Sequence, residues 1–88
     1  MGWRLYMLRC GNGDVYVGIT EHLARRMAEH QSRRGGRFTR MSQPVKLVYQ
    51  EAYATEREAK ERERQLKTWS RRKKLALVSG DYQALKAA

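Results

Sequence analysis

Apolar and polar positions follow two rhythms along this chain, and each rhythm predicts a type of element. Leu5-Tyr6-Met7-Leu8 and Val15-Tyr16-Val17-Gly18-Ile19 are rich in β-branched and aromatic residues, as strands are. Gly11-Asn12-Gly13 lies between them and predicts a hairpin. Leu23, Arg26, Met27 and His30 then fall at i, i+3, i+4 and i+7, one stripe of a helix. Thr20 is its expected N-cap, Glu21 sits in its first turn, and it fades near Ser32. Pro44 closes a loop ahead of a third strand, Val45-Lys46-Leu47-Val48-Tyr49. Thr55-Glu56-Arg57-Glu58 is a capping box that opens a second helix, with Ala59, Glu63 and Leu66 on its inward line. The remaining acids of that helix (Glu56, Glu58, Glu61) fall at spacings that make surface ion pairs. Trp69-Ser70 breaks the helix and recaps a third, which runs from Arg71-Arg72-Lys73-Lys74 through Leu75-Ala76-Leu77-Val78 to a stop at Gly80. The order is β-β-α-β-α-α, one domain over residues 1–80 with a short tail at 81–88.

Turn length decides what the hairpin can do. A two-residue Asn12-Gly13 loop would point Tyr6 and Tyr16 to opposite faces of the sheet. A three-residue loop with Gly13 left-handed instead pairs Leu8 with Tyr16 and Tyr6 with Gly18. Both tyrosines then share a face, and Gly18 leaves room beside the Tyr6 ring. This register also gathers Leu5, Met7, Val15, Val17 and Ile19 on the other face, and it is the favoured one.

Three inward positions are polar where a core wants apolar groups. Arg26 and His30 interrupt the stripe of the first helix, and Glu63 interrupts that of the second. A carboxylate on a buried line needs a partner, a proton or a metal. A structural ion pair between Arg26 and Glu63 competes with a functional site for these observations. Singly, Tyr6 and Tyr16 read as half-buried strand tyrosines, and His30 as a histidine near a helix end.

Charge changes the picture. The 88 residues carry 19 Lys and Arg against 9 Asp and Glu, a net +10. Such an excess repels itself in the folded state and suits an anionic partner, nucleic acid before membrane. No apolar run approaches the roughly 20 residues that span a bilayer, and Arg4 and Arg9 break the N-terminal apolar run that a signal peptide would need. The single Cys10 excludes an internal disulfide and, without a Cys/His cluster, a zinc site. The expected compartment is the cytoplasm. Arg33, Arg34, Arg37 and Arg40 flank Gly35-Gly36 in a loop suited to gripping phosphates, with Phe38 as a lesser candidate for base stacking. Arg71, Arg72, Lys73 and Lys74 crowd a helix start against the dipole, a cost that a phosphate partner would offset.

Tyr6, then Tyr16-Val17-Gly18, then Arg26 and His30 on one helix and Glu63 on another, together resemble the GIY-YIG nuclease domain. The resemblance runs from Leu5 to about Val78. It is most specific for the small stand-alone bacterial members (the YhbQ-like group), through Tyr16-Val17-Gly18-Ile19-Thr20, Leu23-Ala24-Arg25-Arg26, Pro44-Val45-Lys46-Leu47-Val48 and Arg62-Glu63-Arg64-Gln65-Leu66-Lys67-Thr68-Trp69. It implies an α+β fold, a three-stranded antiparallel sheet flanked by three helices. It also implies a metal-dependent endonuclease that hydrolyses DNA phosphodiester bonds, with branched or damaged DNA and DNA repair as the setting. In that reading Glu63 holds one divalent cation, Mg²⁺ with Mn²⁺ as the alternative, and Arg26 braces the scissile phosphate. Tyr16 is the candidate general base or water-positioner, Tyr6 a hydrogen-bonded neighbour, and His30 an orienting or relay group. Arg25 faces elsewhere and is a surface phosphate contact at most. The chain departs from the family pattern with Arg4-Leu5 before Tyr6, and with Ile19 where some branches carry lysine. Specificity would come from a homodimer, a partner protein or a structured substrate. The alternative is a non-catalytic basic DNA- or RNA-binding module on the same fold.

Overall fold

The computed structural model describes residues 2–32 and 45–81. The arginine-glycine loop with its phosphate-gripping candidates Arg33, Arg34, Arg37 and Arg40, together with Phe38 and Pro44, lies outside the described residues. So does nearly all of the expected C-terminal tail. The elements are β1 (Trp3–Arg9), β2 (Val15–Thr20), α1 (Leu23–Ser32), β3 (Lys46–Tyr53), α2 (Glu56–Lys67) and α3 (Arg71–Ser79). The strands form one antiparallel sheet in the order β2-β1-β3.

The hairpin takes the three-residue loop. The Cys10 N–H donates to the Asp14 carbonyl and the Gly13 N–H to the Cys10 carbonyl, both at 2.9 Å, and Gly13 sits at φ +91°. Leu8 therefore faces Tyr16, and Tyr6 faces Gly18. Central strand β1 is covered on both sides, so Leu5, Tyr6, Met7 and Leu8 are all buried. Leu5 and Met7 point to one face, where they join Val17 and Leu66 in a core. Val15, Ile19, Trp69, Leu77 and Val78 close around it. Each fully buried side chain of this size contributes about 1.5–3 kcal/mol. The opposite face carries Tyr6 and Tyr16 and receives α1 through His30.

Two boundaries differ from the sequence expectation. Thr20 does not cap α1, because it stays in the sheet opposite Arg4 and is buried there. Its Oγ1 instead accepts from the His22 N–H at 3.0 Å, a local turn. The helix cannot begin until the chain has left the ladder, so it starts at Leu23 and leaves Glu21 outside it. The third strand is longer than Val45–Tyr49, reaching Tyr53. A bulge between Met7 and Leu8 skips Val48, and pairing with β1 then continues to Trp3 opposite Tyr53.

The caps follow the sequence. Thr55 and Glu58 form the reciprocal capping box of α2, each accepting the other's backbone N–H at 3.2 Å. Such a cap is worth about 1 kcal/mol. Glu58 thus serves the cap, whereas Glu56 and Glu61 make the expected surface pairs with Lys60 and Arg57. Ser70 caps α3 by accepting from the Lys73 N–H, and Gly80 ends it in the left-handed conformation.

Candidate active site

The register of the hairpin builds the site. Tyr6 and Tyr16 stand on one face with ring centroids 6.2 Å apart. His30, from the last turn of α1, lies edge-on to both rings, at 5.8 Å from Tyr6 and 5.4 Å from Tyr16. Its Nε2 is 3.0 Å from the Tyr6 hydroxyl, a buried hydrogen bond whose direction follows the imidazole tautomer. Gly18 makes this packing possible. A Cβ there would lie 2.5 Å from the Tyr6 hydroxyl oxygen and 3.0 Å from the Tyr16 ring.

Burial sorts the two phenols. Tyr6 is fully buried, and desolvation, with the Tyr16 hydroxyl beside it, pushes its pKa far above the ordinary phenol value. The Arg26 cation opposes this shift, and the Glu63 carboxylate adds a smaller push in the same direction. Tyr6 is therefore a protonated hydrogen-bonding group at any physiological pH. Tyr16 is half-buried, so it is the phenol of the pair that keeps contact with solvent. His30 has its pKa lowered, by burial first and then by the Arg26 charge, against a smaller contribution from Glu29. It is a neutral imidazole near pH 7.

Arg26 lies one turn before His30 on α1 and acts electrostatically on both Tyr6 and His30. Glu63 reaches the same group from α2. Its side chain is 22% exposed and accepts an ion pair from Lys67 Nζ at 3.3 Å. It also lines a groove of about 570 Å³ along α2, with Lys60 and Arg64 among its walls. Glu63 thus faces inward far enough to be felt by Tyr6, yet opens to solvent. Arg25 is exposed and paired with Glu29 at 3.8 Å, away from the phenols as its position predicts.

The donor set bears on what cation could sit here. Among the described residues, no three His, Cys, Asp or Glu side chains come together. A cation at this site would rest on Glu63 and water, an arrangement that suits Mg²⁺, which retains much of its hydration shell. The Glu63 carboxylate is 22% exposed, and its Lys67 partner is 53% exposed. The residues fit a singly ligated hydrated ion.

Sequence reasoning missed a second polar cluster. Glu51 accepts hydrogen bonds from the Tyr49 hydroxyl at 2.5 Å, the Tyr53 hydroxyl at 2.7 Å, and Arg62 Nε and Nη2 at 3.0 and 3.1 Å. Arg62 also lies 5.6 Å from the centre of the Trp69 ring. Burial alone would raise the Glu51 pKa, but the hydrogen bonds from Arg62, Tyr49 and Tyr53 prevail and hold it below the ordinary carboxylate value. Tyr49 is pushed up to about 12, by burial and by donating to Glu51. The cluster flanks the apolar core and clamps α2 to β3. Its signal was the period-two spacing of Tyr49, Glu51 and Tyr53, which puts all three on one strand face.

A three-stranded antiparallel sheet with this tyrosine pair, and with an arginine and histidine on the next helix, is the arrangement that the resemblance to the GIY-YIG nuclease domain implies. The family model of the GIY-YIG catalytic domain matches residues 2–76, and the chain belongs to that family. It is similar to the UPF0213 protein of Bacillus pumilus, 45% identical over 69 residues, covering 78% of this chain and 70% of that one. The UPF0213 protein of Staphylococcus saprophyticus is 40% identical over 75 residues, covering 85% and 92%. Two solution NMR structures share the fold. The UPF0213 protein from Bacillus halodurans superposes with a TM-score of 0.59 at 38% identity, covering 97% of this chain and 94% of that one. A protein from E. faecalis gives 0.65 at 29% identity, covering 94% and 88%. The family is a nuclease family, its members act on nucleic acid, and divalent metals are its general cofactors. Among the described residues, no helix is long and apolar enough to cross a membrane.

Proposed function

We propose that the protein is a divalent-cation-dependent endonuclease that hydrolyses DNA phosphodiester bonds, with branched or damaged DNA as its substrate class. The observation that carries this reading is the joint placement of two phenols and a neutral imidazole under the Arg26 charge, with the Glu63 carboxylate felt at the same phenol. A structural ion pair between Arg26 and Glu63 would explain the two charges but not the tyrosine pair. The carboxylate moreover pairs with Lys67.

Hydrolysis needs a positioned nucleophilic water, a cation against the developing phosphoryl charge, and a stabilised leaving oxygen. Tyr16, the half-buried phenol of the pair, orients the water and, acting as the phenolate, takes its proton and becomes the neutral phenol as hydroxide adds to phosphorus. Tyr6 keeps its own proton and, hydrogen-bonded to His30, fixes the ring against which Tyr16 packs. Arg26 offers paired N–H donors to the non-bridging phosphate oxygens, where positive charge gains most as the transition state forms. Glu63 would hold the cation, Mg²⁺ or Mn²⁺, which when bound would supply Lewis-acid stabilisation of the charge developing on the phosphodiester. The cation lysine that some relatives carry after the glycine is Ile19 here, so assistance to Tyr16 falls to Arg26.

The test is incubation with branched, flapped, nicked and plain duplex DNA plus Mg²⁺ or Mn²⁺, beside Glu63→Ala. Cleavage by the wild-type chain that disappears in the variant is expected. Cleavage that survives the substitution rejects the assigned role of Glu63. Tight binding without any cleavage points to the non-catalytic module.

A further inference from the structure

The end of the sheet at the hairpin turn collects cations from three elements. Arg9, the last residue of β1, is in register with Lys46, the first residue of β3. The α3 start is brought to the same end, since Arg71 Nη1 lies 3.6 Å from Asp14 Oδ1 in the turn. Arg72, Lys73 and Lys74 follow in that turn of α3, which contains no acidic residue. Helix α2 is different. Its Glu56, Glu61 and Glu63 are each paired with a lysine or arginine one turn away, at 3.2, 3.6 and 3.3 Å. Of the six cations at the hairpin end, only Arg71 forms an ion pair among the described residues. Lys73 is held with its ammonium 4.4 Å from the centre of the Trp69 ring, which fixes its direction without neutralising it. Charge left uncompensated at one end of a chain whose α2 is neutralised, and placed against a helix dipole, favours a polyanion.

We propose that this hairpin-end surface is a second DNA contact that grips the backbone of duplex flanking the cleaved position, and that Asp14 is an internal counter-anion which a phosphate displaces from Arg71. The inference rests on the nuclease reading for its choice of partner. Continuity with the candidate site supports it, because Asp14 lies two residues before Tyr16 on the same chain segment. The Arg71–Asp14 pair joins the start of α3 to the turn that leads into the Tyr16 strand.

The experiment measures DNA binding in EDTA at several salt concentrations for the wild type, Arg72→Glu/Lys74→Glu and Asp14→Asn, with anionic phosphatidylglycerol vesicles as a parallel arm. Charge reversal is expected to weaken DNA binding about tenfold and to reduce the salt slope by about 2. Asp14→Asn retains the turn, since the Asp14 N–H still donates to Asn12 Oδ1. It is expected to bind DNA about two- to fivefold more tightly, the scale of an exposed ion pair. Unchanged DNA affinity and slope in both variants, or a loss confined to vesicles, overturns the proposal. Cleavage is scored separately with Mg²⁺. A wild type that cuts while these variants bind as it does sinks this surface alone, and one that binds through the surface yet never cuts sinks the nuclease reading alone.

Discussion

The Tyr6 hydroxyl and His30 Nε2 lie 3.0 Å apart inside the protein, and neither side chain meets solvent to any extent. This bond ties the central strand to α1 and fixes the protonation of both groups. Tyr6 retains its proton, because burial raises its pKa, and His30 stays neutral, because burial and Arg26 lower its own.

The bond makes stability depend on pH in one direction. The unfolded His30 takes up a proton below about 6.5, whereas the folded one resists it. The contribution of this group is therefore fully present above about 6.5 and is lost as pH falls from there towards the lower folded value. One group contributes a slope of at most about 1.4 kcal/mol per pH unit. Thermal unfolding between pH 7.5 and 5 should show a falling midpoint, and His30→Gln should flatten the curve over that interval. An unchanged slope in the variant would mean that other groups control it.

Gly18→Ala should damage the site more than the fold. Its Cβ would sit 2.5 Å from the Tyr6 hydroxyl oxygen, so the phenol must leave His30. Overpacking of this kind costs about 1–3 kcal/mol. The expected result is a moderately lower melting temperature with DNA cleavage reduced by about a hundredfold or more, as misplaced catalytic groups produce.

The two phenols should respond differently to loss of the hydroxyl. Tyr16→Phe removes the accessible group and should reduce single-turnover cleavage by about 10²–10⁴-fold, the range of general-base loss, with little change in stability. Tyr6→Phe leaves His30 facing an apolar ring and should cost about 1–3 kcal/mol of stability. Denaturant melts together with cleavage rates on both variants separate the roles.

Glu51→Gln tests the clamp on the other side of the sheet. It weakens a carboxylate that serves Arg62 and two tyrosines, at an expected cost of about 1–3 kcal/mol. Because the folded pKa of Glu51 is depressed, its stabilisation is present above about 4.3 and is lost as pH falls through the lower folded value. The acid limb of the wild-type stability curve should therefore be missing in the variant, distinct from the His30 effect at higher pH.

The sequence carried the elements whose local chemistry is self-sufficient. The left-handed Gly13 set the hairpin register, and with it the shared face of Tyr6 and Tyr16. The Thr55–Glu58 box and Ser70 marked their helix starts through bonds made within one turn. Thr20 misled because a good capping residue was claimed by the sheet, a partnership with Arg4 that no local window reveals. Strand β3 looked short because Gln50, Glu51 and Ala52 have little strand preference, and pairing with β1 overrides that. The polar interruptions at Arg26, His30 and Glu63 pointed to a shared environment. Which tyrosine is buried and which is accessible depends on the way α1 lies over the sheet, and sequence periodicity does not contain that.

The central claim is that Tyr16 and Glu63 act on one phosphodiester from two elements. Its most direct measurement is a double-mutant cycle in single-turnover DNA cleavage with Mg²⁺, using Tyr16→Phe, Glu63→Gln and the pair. Residues that work as a unit are predicted to give a double variant no slower than the more impaired single variant, each down by about 10² or more. Cleavage that persists in Glu63→Gln, or losses that simply multiply in the double variant, would contradict it.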